Sequence, residues 1–143
     1  MKKLVLGVIN NPYGHSHGAD RRANANTTTG EVAQILENKY HIMQHFYDLH
    51  EREINSSILQ SVTHILNEAL MGSPVNTAGL DDIDNLKPIF EKMILTKELD
   101  GVADGVPTQA SLSVVNHRKK KGESRPSFLD TRLYMQSFKA WIK

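Results

Sequence analysis

Seven histidines are the residues of this chain best suited to chemistry. Two groups of them have spacing worth testing. His15 and His17 lie close to Asp20 in a polar stretch, and His41 and His45 are four apart. Two histidines at i, i+4 on one helical face can share a zinc ion when a third ligand arrives from elsewhere. The pair lacks the glutamate of an H-E-x-x-H pattern, because Ile42 follows His41. Both groups read as solvated or interface histidines, so neither a metal nor any other cofactor is expected. The competing reading is a small metal-dependent hydrolase using His15, His17 and Asp20 or the His41/His45 pair, which stoichiometric zinc in the purified protein would reveal.

Nucleophiles are present without a motif to activate them. Ser127, Thr131, Ser137 and His117 can be imagined as partners, but no nucleophile elbow or phosphate-binding loop occurs. Asp81, Asp82 and Asp84 lack the further ligands and the glycine of a calcium loop, and helix capping accounts for them. No enzyme is expected. The basic run His117, Arg118, Lys119, Lys120 and Lys121, with Arg125 nearby, is the strongest charge feature. Without stacking aromatics among those charges it reads as a solvated hairpin tip, and direct DNA contact is not expected. A basic nucleic-acid-binding accessory protein is the third reading, and strongly salt-dependent DNA binding would support it.

Composition agrees with a structural role for these residues. A net charge of +1 gives no global attraction to nucleic acid or anionic membrane. Hydrophobic content of 39% and charged content of 23% are ordinary for a globular chain, and 143 residues suit one domain spanning 1–143. The chain has no cysteine, which removes disulfides and thiolate sites and fits a reducing compartment. The apolar run Leu4–Ile9 is too short for a signal or a membrane span and reads as a buried first strand.

The elements follow from periodicity and punctuation. After the first strand, residues 10–29 are rich in Asn, Thr, Gly and His and read as a long loop. Thr28 and Glu31 have capping-box spacing and predict a helix start. Val32, Ile35, Leu36, Tyr40, Met43 and Tyr47 form one apolar stripe, and Ile54, Ile58, Val62, Ile65, Leu66, Ala69 and Leu70 form another. The change of phase between His41 and His50 predicts a break near Tyr40–His41. Met71-Gly72-Ser73-Pro74 predicts a firm stop. Ile83, Leu86, Ile89, Phe90, Met93 and Ile94 predict a further helix, kinked by Pro88. Alternation over Ala110–Val115 predicts a strand, paired through the basic tip with a second strand over Leu133–Ile142. The fourfold spacing of Tyr134, Phe138 and Ile142 leaves a helix open there. The fold class is α+β: a small antiparallel or mixed sheet, made of the N-terminal strand and a C-terminal hairpin, packed on a long helix and a second, Pro-kinked helix.

The segment Arg125–Lys143, reading RPSFLDTRLYMQSFKAWIK, holds the only tryptophan and a run of large apolar residues. It is expected to pack on the rest of the fold or on a neighbouring subunit. It resembles the closing motif of small tail-completion, tail-terminator and minor tail proteins of tailed bacteriophages, with an Arg-Pro element, an Asp-Thr turn and a Ser-containing apolar strand. LVLGVINNPY followed by GEVAQILENKY is similar to the first strand, variable loop and Val-Ala helix start of such proteins; the matching positions are Gly30-Glu31-Val32-Ala33 and Arg125-Pro126-Ser127-Phe128. The family's turn has glycine after Asp-Thr, whereas this chain has Arg132, which is costly if the turn needs positive φ.

The resemblance implies a non-enzymatic ring subunit at the head–tail junction or upper tail of a virion, assembled in the host cytoplasm. Its partners would be copies of itself and neighbouring neck or tail proteins, with no membrane. Expected interface residues are His117, Arg118, Lys119, Lys120, Lys121, Arg125, Phe128, Arg132, Phe138 and Trp141. Phe128, Leu133, Phe138 and Trp141 are expected to lie against the helix Ile54–Leu70 and partly against a neighbour.

Overall fold

The computed structural model describes residues 2–13, 27–75, 83–112, 126–128 and 132–143. In chain order the elements are β1 (Leu4–Val8), α1 (Thr29–Tyr40), α2 (Ile42–Leu70), α3 (Leu86–Leu95), a one-turn α4 (Gln109–Leu112), a one-turn α5 (Leu133–Gln136) and β2 (Phe138–Ile142). β1 and β2 pair antiparallel, with Leu4 opposite Ile142, Leu6 opposite Ala140 and Val8 opposite Phe138. The fold is α+β, a small sheet of first and last strands held against helices.

Alternation assigns the two faces of that sheet. Leu4, Leu6, Val8, Phe138, Ala140 and Ile142 pack into or against the core. Trp141 lies on the opposite face, where its ring covers Gly7 so closely that a Cβ there would sit 3.2 Å from Cη2. A two-stranded sheet is marginal alone. Here Phe90 of α3 stacks on Phe138 at 4.3 Å, and the N–H of Ile83 donates to the carbonyl of Ala140 along the outer edge of β2.

Thr29 joins the described segments on either side of residues 14–26. This residue is fully buried; its hydroxyl donates to the carbonyl of Ile9 at 2.5 Å and accepts from the N–H of Asn11 at 2.7 Å. Thr29 N–H in turn donates to Asn11 O, and Tyr13 N–H to Thr27 O. The chain therefore leaves and re-enters at one stapled point. Thr28 caps α1 through the capping box with Glu31.

His41 makes the break expected near Tyr40–His41. Its φ of 50° and ψ of 46° end α1 and start α2 with a single intervening residue. The Glu37 carboxylate reaches over this joint, accepting from the N–H groups of Met43 (2.8 Å) and Gln44 (3.4 Å). Those are orphan donors of a helix N-terminus, where a negative charge is also favoured. A second departure from helical dihedrals occurs at His50, whose Nε2 lies 2.8 Å from Glu98 Oε2. α2 ends where the Met71-Gly72 signal predicts: Gly72 takes φ 79°, its N–H bonds Ala69 O, and Ser73 N–H bonds Glu68 O. This is the paired bonding of a Schellman stop.

Three expectations change. Pro88 does not kink its helix, because α3 begins at Leu86 and places Pro88 in the first turn, where a missing N–H costs nothing. The strand expected over Ala110–Val115 is a helical turn over Gln109–Leu112, with Ser113–Val115 outside the described residues. Thr108 explains the outcome: its Oγ1 accepts from Ser111 N–H at 3.2 Å, a local cap that outcompetes the alternating pattern. The strand expected over Leu133–Ile142 is divided at Ser137, with a helical turn before it and β2 after it.

Candidate assembly surface

Burial along α2 divides the helix in two. Ile42, Phe46 and Ile54 are sealed in the core and Ile58 still packs against it, whereas Leu59, Val62, Leu66 and Leu70 emerge into solvent. Leu59 is 65% exposed, Leu66 57%, Leu70 84% and Met71 88%. At roughly 100° per residue the apolar positions Ile58, Leu59, Val62, Ile65, Leu66, Ala69 and Leu70 occupy one stripe roughly 140° wide. Gln60, Thr63, His64, Asn67 and Glu68 fill the opposite face. An amphipathic helix normally turns such a stripe inward; here half of it faces out. Contiguous apolar surface of this kind marks a site of association. The other exposed large apolar residues, such as Ile9, Ile35, Val102 and Leu112, are dispersed along the chain.

The C-terminal aromatics do not cover this stripe, contrary to the expectation that they lie against Ile54–Leu70. Phe138 is 3% exposed and packs on Phe46 and Phe90; Tyr134 meets Phe90, and Phe128 meets Tyr40 at 5.1 Å. These contacts lie on the first half of α2, on α1 and on α3. Phe138 is thus a core residue, sealed within its own chain and not presented to a neighbour. Phe128 and Trp141 are half-buried, and Arg132 is exposed. His117, Arg118, Lys119, Lys120, Lys121 and Arg125 lie outside the described residues, as do His15, His17, Asp20, Asp81 and Asp82.

Arg132 does take the left-handed conformation that its glycine-like position requires, with φ 64° and ψ −7° just before α5. A side chain there costs about 1–2 kcal/mol, against about 0.5–1 kcal/mol of extra chain entropy for glycine. Arg132→Gly is therefore expected to raise stability by up to about 1 kcal/mol. Urea denaturation checks this, and a loss of stability would mean that the guanidinium holds something the backbone does not.

A second surface is the outer edge of β1. The reciprocal bonds of Lys3 with Lys143, and the bond from Ile9 N–H to Ser137 O, set which backbone groups point across the sheet. By the alternation of the register those of Leu4, Leu6 and Val8 point away from β2, and among the described residues no further strand pairs with β1. An open edge of this kind accepts another strand.

Groups suited to catalysis are occupied structurally. His41 sits between two helices in left-handed backbone, so His41 and His45 do not form the i, i+4 pair of a continuous helix. Ser127 accepts from Thr108 N–H, and Ser137 Oγ accepts from the Asn11 side-chain amide. Among the described residues no three His, Asp or Glu side chains converge as metal ligands. The cleft between the end of α3 and Ser127–Phe128 leaves no room for a water-sized ligand. His50 and Glu98, which sequence reasoning missed, pair across α2 and the turn after α3; no sequence spacing signals a pair separated by 48 residues.

Among the described residues Tyr134 is the one strongly perturbed acid. Burial, followed by the Glu37 carboxylate and Tyr13, holds its phenol well above the usual tyrosine range. Its hydroxyl has no hydrogen-bond partner among the described residues. Because the folded-state value is raised, the stability tied to neutral Tyr134 is fully present below about pH 10, the unfolded value, and is lost as pH climbs toward the folded one. In an alkaline absorbance titration one of the four tyrosines should ionise only as the chain unfolds. Full ionisation of all four in the folded state would contradict this burial.

Compared with protein-family models, curated proteins and solved structures, the chain gives no match. Among the described residues no helix is long and apolar enough to cross a membrane.

Proposed function

We propose that this chain is a non-catalytic structural subunit of a phage virion, a ring-forming homo-oligomer at the head–tail junction or upper tail. The observation that carries the reading is the exposed apolar stripe on the second half of α2, which has no use in an isolated subunit and an evident one in an assembly. The edge of β1 away from β2 supports it, because it offers a second surface, separate from the stripe, through which copies can join. The likeness of Arg125–Lys143 and of the β1–α1 region to tail-completion and tail-terminator proteins supports a virion as the setting. Assembly takes place in the host cytoplasm, and the neighbours are other neck or tail proteins. Omitting the chain during phage production tests the reading: heads and tails should accumulate unjoined or with open tail ends. Normal infectious particles would overturn it.

A further inference from the structure

The stripe on α2 also carries information about what covers it. From Asn55 to Val75 the chain has no lysine, arginine or aspartate and a single glutamate, Glu68. That carboxylate lies 3.4 Å from His64 Nε2 on the same helix. A surface so poor in charge offers no complementarity to an acidic or basic partner, and no like-charge cost when it meets itself. Its exposed large apolar positions are also nearly symmetric about His64: Val62 and Leu66 flank it by two residues, and Leu59 and Leu70 lie five before and six after. Two copies laid antiparallel bring Val62 against Leu66 and Leu59 close to Leu70, while Ile58 stays packed on its own core. The exposed side chains amount to roughly a few hundred Å² per copy, the scale of a marginal to standard helix-on-helix interface.

We infer that the second half of α2 docks antiparallel on the same segment of a second copy of this chain. This deepens the assembly reading above by naming the partner at that surface. The contact is isologous, so it makes pairs; a ring built from such pairs closes through another surface and contains an even number of copies.

Light scattering on the purified full-length chain tests the inference. The expected mass is an even multiple of 16.1 kDa, and Leu66→Glu should weaken self-association by roughly tenfold or more while leaving the helical circular dichroism intact. Leu66 is already exposed, so the variant strains nothing inside the subunit. Because the chain has no cysteine, Leu66→Cys supplies one reporter thiol. Its reactivity should be low in the assembled protein and rise on dilution. A wild-type monomer overturns the inference: a shielded thiol would then place another segment of the same chain on the stripe, and a reactive one would leave it to a different protein. An unchanged mass in Leu66→Glu overturns it as well. None of these outcomes decides the virion reading, which stands or falls on the particles made without the chain.

Discussion

Phe138→Ala is expected to cost about 3–5 kcal/mol, a large share of the stability of a domain this size. Phe138 is the third member of a ring cluster that joins three elements. It stacks on Phe90 of α3 at 4.3 Å with 12° between planes, and meets Phe46 of α2 edge-on at 5.4 Å. Phe46 and Phe90 themselves meet at 5.3 Å and 88°. Truncation removes the apolar transfer energy and leaves a cavity between the rings. It also cuts β2 from the helices that make a two-stranded sheet viable. Trp141→Ala, on the other face of the same strand and half-buried, is the control and should cost clearly less. Chemical denaturation followed by circular dichroism measures both. A cost under about 1 kcal/mol for Phe138→Ala would mean that the cluster does not organise the core.

Thr29→Val should cost about 2–4 kcal/mol, although it preserves shape and adds apolar surface. The Thr29 hydroxyl accepts from Asn11 N–H and donates to Ile9 O, in a position with no solvent exposure. Valine leaves both backbone groups unsatisfied, and each such loss costs about 1–3 kcal/mol. Thr29→Ser, which keeps the hydroxyl and removes a methyl, should recover most of the difference. The same denaturation curves report it. Equal losses for valine and serine would show that packing, and not the two hydrogen bonds, sets the stability of this joint.

Local signals in the chain were readable because local bonds decide them. The Thr28/Glu31 box, the phase change at His41 and the Met71-Gly72 stop each act through groups within a few residues, and each appears where expected. The stop of α3 follows the same bonding with Lys97 at φ 60° in place of the usual glycine, which hides it from a reading based on composition. Alternation over Ala110–Leu112 misled because Thr108 supplies a cap that periodicity ignores. The candidate surface was half legible. Spacing predicts the stripe from Ile58 to Leu70, but a stripe turned to solvent has the same period as one turned to the core. Only the three-dimensional arrangement distinguishes them, by sending Phe138 and Tyr134 to Phe46 and Phe90 and leaving Leu59, Leu66 and Leu70 uncovered. Arg132 is a different case: it takes left-handed backbone with φ 64°, a conformation that no local sequence signal announces for an arginine.

Assembly into a virion, and not catalysis, is the role proposed for this chain. The direct measurement is quantitative mass spectrometry of purified phage particles made with the intact chain. A fixed number of copies per particle, retained through gradient purification, is the expected result. Finding the chain only in the soluble lysate, with particles that lack it fully infectious, would contradict it.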